Sequence, residues 1–188
     1  MSVIRLPHLT ALLLAVALLA AGLLAGIGAG PALAAGCPGA DKGPRQISNK
    51  TAARAVACLV NKKRRRHGKS SFSFRRNLAR AARSHSERMQ KTDCFDHVCP
   101  GERSLPGRYE RADYLPCSCS WGAAENIAWG AGRNGTPRKI VKAWMHSHSH
   151  RVNILGNFED VGVGVRWGSP NKRGAHAGTY TLDFGFKR

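Results

Sequence analysis

Acidic residues are scarce in this chain of 188 residues, which has 11 Asp and Glu against 30 Lys and Arg and a net charge of +19. Such a balance disfavours cationic partners and favours anionic ones, such as phospholipid headgroups and anionic cell-wall polymers. Nucleic acid is also a polyanion, so we expect it to bind only non-specifically, through charge. Net charge governs encounter and solubility rather than fold.

Several motifs of common catalytic sites are also missing. The sequence contains no phosphate-binding P-loop, no G-x-S-x-G nucleophile motif and no zinc-binding H-E-x-x-H. The enzyme classes that depend on these motifs are therefore excluded. The sequence does not decide whether the protein is an enzyme, but it favours a non-enzymatic role and indicates no required cofactor.

No charged residue interrupts positions 11 to 30, which consist of Ala, Leu, Val, Ile and Gly. Arg5 precedes this stretch and small residues follow it, as in a signal peptide with an A-x-A cleavage site. We predict a signal peptide over residues 1–35 and a secreted mature chain with no membrane span. Two alternatives stay open: an uncleaved anchor, because about 20 apolar residues span a bilayer, and a lipid anchor through Cys37, which follows a lipobox-like sequence.

An even number of cysteines in an exported domain predicts disulfides, here three. Cys37–Cys58 is the preferred bridge, since it would pin the N-terminal segment to the first helix. Cys117 and Cys119 stand too close to bond each other comfortably, so we expect both to reach the remaining two cysteines. A zinc site is the alternative, although C-x₂-C pairs are missing. The six cysteines are Cys37, Cys58, Cys94, Cys99, Cys117 and Cys119.

Hydrophobic periodicity predicts helices in the first half of the chain and strands at its end. Residues 36–47 form an extended segment, and apolar residues at helical spacing follow in Ser48–His67 and Arg75–Lys91. Strict alternation marks strands at Val161–Trp167 and Tyr180–Phe186. Helices followed by strands in this order predict an α+β domain in which helices pack on an antiparallel sheet.

Further segments lie between these elements. Thr136 and Pro137 begin another helix, whereas residues 92–122 are predicted to be rich in loops. His85 shares the apolar face of the second helix, so we interpret it as a core histidine.

Four segments in order resemble the CAP superfamily of cysteine-rich secretory proteins, venom antigens and pathogenesis-related proteins, and most of all its short bacterial branch. They are the N-L-A-R-A-A run at 77–82 with His85 and Met89, Phe95-Asp96-His97, the A-E-N-I-A-W-G run at 124–130 and the A-W-M-H-S-H-S-H-R-V-N-I-L run at 143–155, after which a V-G-V-G run follows at 161–164. The resemblance extends from about residue 52 to 186. It implies an α-β-α sandwich, the CAP or SCP fold, over residues 48–188.

The resemblance also implies a cleft lined by two His and two acidic residues. The matching positions here are His97, Glu125, Ser147 and His150, with His148 as the alternative to Ser147, so the second acidic position holds no acid in either case. His97 and His150 could hold Zn²⁺ or another divalent cation weakly. A charge-assisted network around Glu125 that fixes the fold is the structural alternative.

The function that this resemblance implies is a secreted, non-enzymatic binding module for lipid, glycan or protein. The alternative is an extracellular hydrolase of cell wall, protein or nucleic acid, in which Glu125 would act with His97 and His150. The hydrolase hypothesis predicts turnover of peptidoglycan, protein or nucleic acid that Glu125→Gln and His97→Ala would lower, whereas the binding-module hypothesis predicts a retained apolar or anionic ligand.

Overall fold

A four-stranded sheet forms the middle layer of the protein. In a computed structural model its strands lie in the order β1-β3-β4-β2. Strands β2 and β3 both run antiparallel to β4, and the short β1 joins β3 in parallel. The strands are β1 (Ser73–Phe74), β2 (Trp121–Ala131), β3 (Asp160–Trp167) and β4 (Ala177–Lys187).

Helices cover both faces of this sheet, as the α-β-α sandwich requires. Helices α1 and α4 pack on one face through a large apolar cluster, and α2 and α3 pack together near the other face. The α+β prediction is therefore confirmed. The helices are α1 (Asn49–Arg66), α2 (Arg76–Lys91), α3 (Leu105–Arg111), α4 (Pro137–His146) and α5 (His148–Leu155).

The alternation of valine and glycine in β3 explains why the helices on the two faces of the sheet pack differently against it. Val161, Val163 and Val165 belong to the apolar cluster under α1 and α4. Gly162 and Gly164 face α2 instead, where a Cβ atom at either position would collide with the helix backbone. Helix α2 therefore lies unusually close to the sheet, and only glycine permits that approach.

The structure describes residues 36–188, apart from Arg45, Pro116 and Arg173. The predicted signal peptide and the uncleaved-anchor alternative fall on residues 1–35, outside that part of the chain. Cys37–Arg188 forms one unit. Among the described helices, none is both long and apolar enough to cross a membrane.

The disulfide pattern differs in part from the prediction. Cys37 bonds to Cys58 as expected, but Cys94 bonds to Cys99 and Cys117 to Cys119. The prediction that the last two cysteines would not join is wrong. A bend at residues 118–119 brings their Cα atoms to 5.2 Å, within the range that a disulfide spans.

Because all six cysteines form disulfides, two alternatives from the sequence can be judged: the cysteine zinc site and the lipid anchor through Cys37. No cysteine is free, so the cysteine zinc site is wrong. Cys37 uses its sulfur in the bridge to Cys58, which leaves no thiol there for a lipid anchor. The three bridges agree with an exported domain.

Helix α5 was not predicted as separate from α4, and helix α3 was missed altogether because residues 92–122 were predicted to be rich in loops. Helix α3 begins after Ser104, whose hydroxyl accepts a hydrogen bond from the N–H of Gly107 at 3.5 Å. Seven residues that include a proline and a glycine give too short a periodic pattern to recognise. The helix carries Arg108 and Tyr109, both buried, and so completes the layer of α2.

Candidate functional site

Glu125 is the centre of the candidate site. It lies on β2, and its side chain is only 1% exposed. His97 Nδ1 donates a hydrogen bond to its Oε1 at 2.8 Å, and Arg108 Nη2 donates to its Oε2 at 2.5 Å. Both carboxylate oxygens are therefore held by charged or chargeable donors, which is the strongest form of hydrogen bond in proteins.

Arg108 links this carboxylate to the neighbouring loop. Its Nη1 donates to the backbone carbonyl of His97 at 2.7 Å and lies 3.5 Å from Glu102 Oε2. Glu102 in turn accepts a hydrogen bond from His85 Nδ1 at 2.7 Å. The core position of His85 is confirmed, since the residue is fully buried, and its Nε2 lies 3.7 Å from Glu125 Oε2.

A second buried carboxyl group stands beside Glu125. Asp183 on β4 is the register partner of Glu125 on β2, and it is completely buried. Burial, together with the negative charge of Glu125, raises the pKa of Asp183 well above its usual range. Burial opposes ionisation of Glu125 too, but the His97 hydrogen bond and the charge of Arg108 lower the pKa of Glu125.

These opposite pKa shifts favour the protonated form of Asp183 and the ionised form of Glu125. Neither Asp183 oxygen is reached by an N–H or O–H donor of the described residues, and the neighbouring group is itself a carboxylate. A protonated Asp183 resolves the conflict, because its O–H can donate to Glu125. We therefore expect a carboxylic acid at Asp183 beside the carboxylate of Glu125, because two like charges in one buried site oppose each other's ionisation.

We expect Asp183→Asn to stabilise the protein at neutral pH. The pKa of Asp183 is raised on folding, so the folded state holds a proton that the unfolded state releases above about pH 4. Stability should therefore fall as pH rises from that point, and asparagine, which can still donate to Glu125, removes this loss. Urea unfolding between pH 4 and pH 7 should show a gain over wild type that widens with pH.

The matched control is Asp113→Asn, whose side chain is 85% exposed and should change stability by less than about 0.5 kcal/mol at any pH. Equal or lower stability of Asp183→Asn at pH 7 would contradict the assignment of the proton.

The other predicted cleft residues form a second hydrogen-bonded pair. His150 Nδ1 and Ser147 Oγ are 2.8 Å apart at the start of α5. Burial lowers the pKa of His150, and the nearby charge of His97 adds to that effect. The hydrogen bond that His97 donates to Glu125 raises the pKa of His97. The predicted set is thus two pairs, with no hydrogen bond between the pairs among the described residues.

Asn126 ties β2 to α5 and so brings the second pair toward the first. Its side-chain Nδ2 donates to the carbonyl of His150 at 3.0 Å, and its Oδ1 accepts from Asn153 at 2.9 Å. Trp144 Nε1 donates to the carbonyl of the next residue of β2, Ile127, at 3.1 Å. The A-E-N-I-A-W-G run therefore anchors neighbouring helices to β2.

A divalent metal would find an incomplete set of ligands here. Two imidazoles could contribute their Nε2 atoms, but the Glu125 carboxylate is engaged by Arg108 and the remaining predicted member is a neutral serine. In the described part of the chain no group of three or more His, Cys, Asp or Glu residues is placed to hold a metal ion. These donors fit a three-ligand hydrolytic zinc site poorly.

Comparison with known proteins decides the family. A profile of the cysteine-rich secretory protein family, CAP, matches residues 58–183. The chain belongs to the CAP family. This is a family of extracellular type, and the resemblance expected from the four sequence segments is confirmed.

Individual relatives agree with this assignment. The chain is 36% identical over 110 residues to the uncharacterized protein YkwD of Bacillus subtilis, and the match covers 58% of this chain and 40% of the relative. The matched part of the chain therefore spans less than half the length of that relative.

Solved structures show the same fold. An outer surface protein of Borrelia burgdorferi is similar with a TM-score of 0.62 and 16% identity, over 77% of this chain and 99% of the other. An SCP-domain extracellular protein of Bacillus anthracis is similar with a TM-score of 0.56 and 24% identity, over 73% and 43% of the two chains.

Arg108, Glu102 and Asp183 belong to the site but were not predicted from the sequence. Arg108 lies in the unrecognised helix α3. Asp183 follows the alternation of β4 and lies on the opposite face from Leu182 and Phe184, which was a usable signal. Its pairing with Glu125 depends on strand register, which the sequence does not reveal.

Proposed function

We propose that this CAP domain is a secreted, non-enzymatic binding module that recognises phosphate groups of lipids or polymers outside the cell. The observation that carries the proposal is a cationic surface on α1 and α4, which we call the basic stripe. Six side chains line a depression of about 250 Å³ there. The basic stripe consists of Lys62, Lys63, Arg66, Arg138, Lys142 and His146.

Helical spacing explains why these side chains share a surface. Arg138, Lys142 and His146 follow one another at intervals of four residues, and therefore project from one side of α4. Leu59 and Val141 supply an apolar floor between the two helices. Cations around a small apolar floor suit a phosphate group attached to an organic chain better than a bare ion.

The charge of the basic stripe is nearly uncompensated. Among the described residues Asp41 is the only acid paired with it, at 2.6 Å and 2.8 Å from Arg138. Arg64, in the middle of the same basic run, is different because it turns inward. It is buried, and its guanidinium donates to the carbonyls of Ile154 and Gly156. Folding thus separates one structural arginine from the exposed ones.

The geometry around Glu125 supports a non-enzymatic role. The Glu125 side chain is only 1% exposed, and despite this burial the His97 hydrogen bond and the Arg108 charge lower the pKa of Glu125, so this carboxylate is a weaker general base than an exposed, unpaired one. The arrangement suits the charge-assisted network better than the hydrolase. The weak metal site at His97 and His150 stays a prediction that zinc titration can test.

We expect the protein to bind vesicles that contain phosphatidylglycerol and not vesicles of phosphatidylcholine alone. Each basic residue near an anionic membrane contributes about 1 kcal/mol, so Arg66→Glu combined with Lys142→Glu should weaken partitioning by more than about tenfold. Added salt should weaken binding too, because exposed charges are screened. Co-sedimentation measures both effects, and competition with soluble glycerol-phosphate polymer separates a lipid source of phosphate from a polymer source.

The matched control is a double variant with the same change in net charge, placed away from the basic stripe. Lys91 lies on α2, across the sheet from the basic stripe, and its side chain is 69% exposed. Lys91→Glu with Arg103→Glu makes the same change in net charge and should bind nearly as wild type. If both double variants lost vesicle binding equally, the binding would depend on net charge alone and not on the basic stripe. If both bound vesicles as well as wild type does, the proposal would be contradicted.

A further inference from the structure

One edge of the sheet is left open along β3. Strand β1 pairs with β3 only at Asp160 and Val161. From Gly162 to Trp167, β3 is paired with β4 on one side, and no described strand pairs with its other side. An open strand edge presents unpaired N–H and C=O groups, which can template the addition of another strand.

Hydrogen bonds at the two ends of β3 show which residues point to the open side. The carbonyl of Val161 accepts from Arg75 N–H at 3.0 Å, on the β1 side, whereas Gly168 N–H donates to Ala177 O at 2.7 Å, on the β4 side. Because backbone groups alternate along a strand, those of Val163 and Val165 point to the open side. Hydrogen bonds from other described residues do not reach them there.

These unpaired groups lie at the floor of a groove rather than on an open surface. Val163 and Val165 are buried, with 6% and 2% of their surface exposed. Because α1 and α2 lie on opposite faces of the sheet, they form the two walls of a groove of about 830 Å³ along this edge. Buried backbone groups without a partner are rare in proteins, so this edge is suited to a ligand that supplies both donors and acceptors.

The walls leave room for side chains. Ala53 and Ala57 of α1 and Ala79 of α2 line the groove where larger residues would close it. Phe74 stands at the end of β1 with 48% of its surface exposed. Small walls and an exposed aromatic ring suit apolar side chains of a bound segment, spaced at alternate residues as in a strand.

The rim of the groove is positively charged and therefore favours a negatively charged segment. Lys50 and Arg54 of α1 stand on one side and Arg76 and Arg83 of α2 on the other. Within the described residues none of the four has an acidic partner, and no acidic residue lines the groove. Carboxylates on a bound segment would therefore meet cations on both sides.

We infer that the open edge of β3 binds an extended acidic segment of another protein, which adds to the sheet as a further strand at Val163–Val165. A fatty acyl chain fits the apolar walls, but it would leave the backbone groups of both valines buried without partners, which is unfavourable. A peptide strand satisfies them and places its carboxylates against the rim. This site lies on a different surface from the basic stripe and does not depend on it.

The test uses a capped, fluorescently labelled peptide that alternates valine and glutamate, and the same peptide with an N-methylated backbone. N-methylation removes the donors of the added strand while keeping its charge, so affinity should fall by more than about tenfold. Hydrogen exchange at the amides of Val163 and Val165 should slow when the unmodified peptide binds. The amides of Gly162 and Gly164, which face β4, provide the internal control.

Charge variants at the rim extend the test, and we expect them to fold because Arg54 and Arg83 are exposed. Arg54→Glu with Arg83→Glu should weaken the peptide by about tenfold or more, while Lys91→Glu with Arg103→Glu should leave it unchanged. Equal affinity of the N-methylated peptide, or no slowing at Val163 and Val165, would overturn the inference. Binding of oleate without binding of the peptide would overturn it as well and would assign the groove to acyl chains.

Discussion

Glu125→Gln is expected to lower the free energy of unfolding by about 3–5 kcal/mol, the usual cost of removing one partner of a buried ion pair. Arg108, 5% exposed, would then keep a buried charge without its main counterion. For a domain of this size the melting temperature should fall by about 10 °C. Thermal and urea unfolding followed by circular dichroism provide the measurement.

The double variant Glu125→Gln with Arg108→Met separates this cause from a general loss of packing. Removal of both charges avoids the unpaired arginine, so the double variant should be less destabilised than the sum of its two single variants. A Glu125→Gln protein within about 0.5 kcal/mol of wild type would show that the network does not hold the fold.

The second large effect is expected at the Cys37–Cys58 disulfide. This bridge joins residues 21 apart, and closing a loop of that length stabilises a protein by about 3 kcal/mol in the chain-entropy account. It fastens the segment before α1, in which Cys37 and Ala40 are buried. Cys37→Ala with Cys58→Ala should therefore lower the urea midpoint clearly, measured without reductant.

Cys117→Ala with Cys119→Ala is the matched control. These residues are two apart in sequence, so their bridge removes less chain entropy, about 1.5 kcal/mol by the same account. If this variant lost more free energy of unfolding than Cys37→Ala with Cys58→Ala, the expected order of the two disulfides would be contradicted.

The elements that could be predicted from sequence are those with a local pattern. Alternating valines and glycines marked β3, and the stripe from Ala52 to Val60 marked α1, because burial of one face repeats at a fixed interval. Helix α3 lacks such an interval. The Cys117–Cys119 bridge was mispredicted because it depends on a local bend that sequence spacing does not reveal.

The site was predicted in part for a similar reason. His97, Glu125, Ser147 and His150 follow from motif positions, and the structure joins them in two pairs. Asp183 enters through the register of β2 and β4, which long-range packing decides. The sequence alone therefore could not predict that Asp183 lies beside Glu125, or that the two carboxyl groups would compete for ionisation.

The most direct test measures vesicle binding of Glu125→Gln beside the Arg66→Glu, Lys142→Glu variant, at a temperature where both remain folded. The account predicts that Glu125→Gln, although less stable, binds phosphatidylglycerol vesicles as wild type does, while the stripe variant loses binding at unchanged stability. The opposite pattern, in which the stripe variant binds normally and folded Glu125→Gln does not, would place function at the Glu125 cleft and contradict the account.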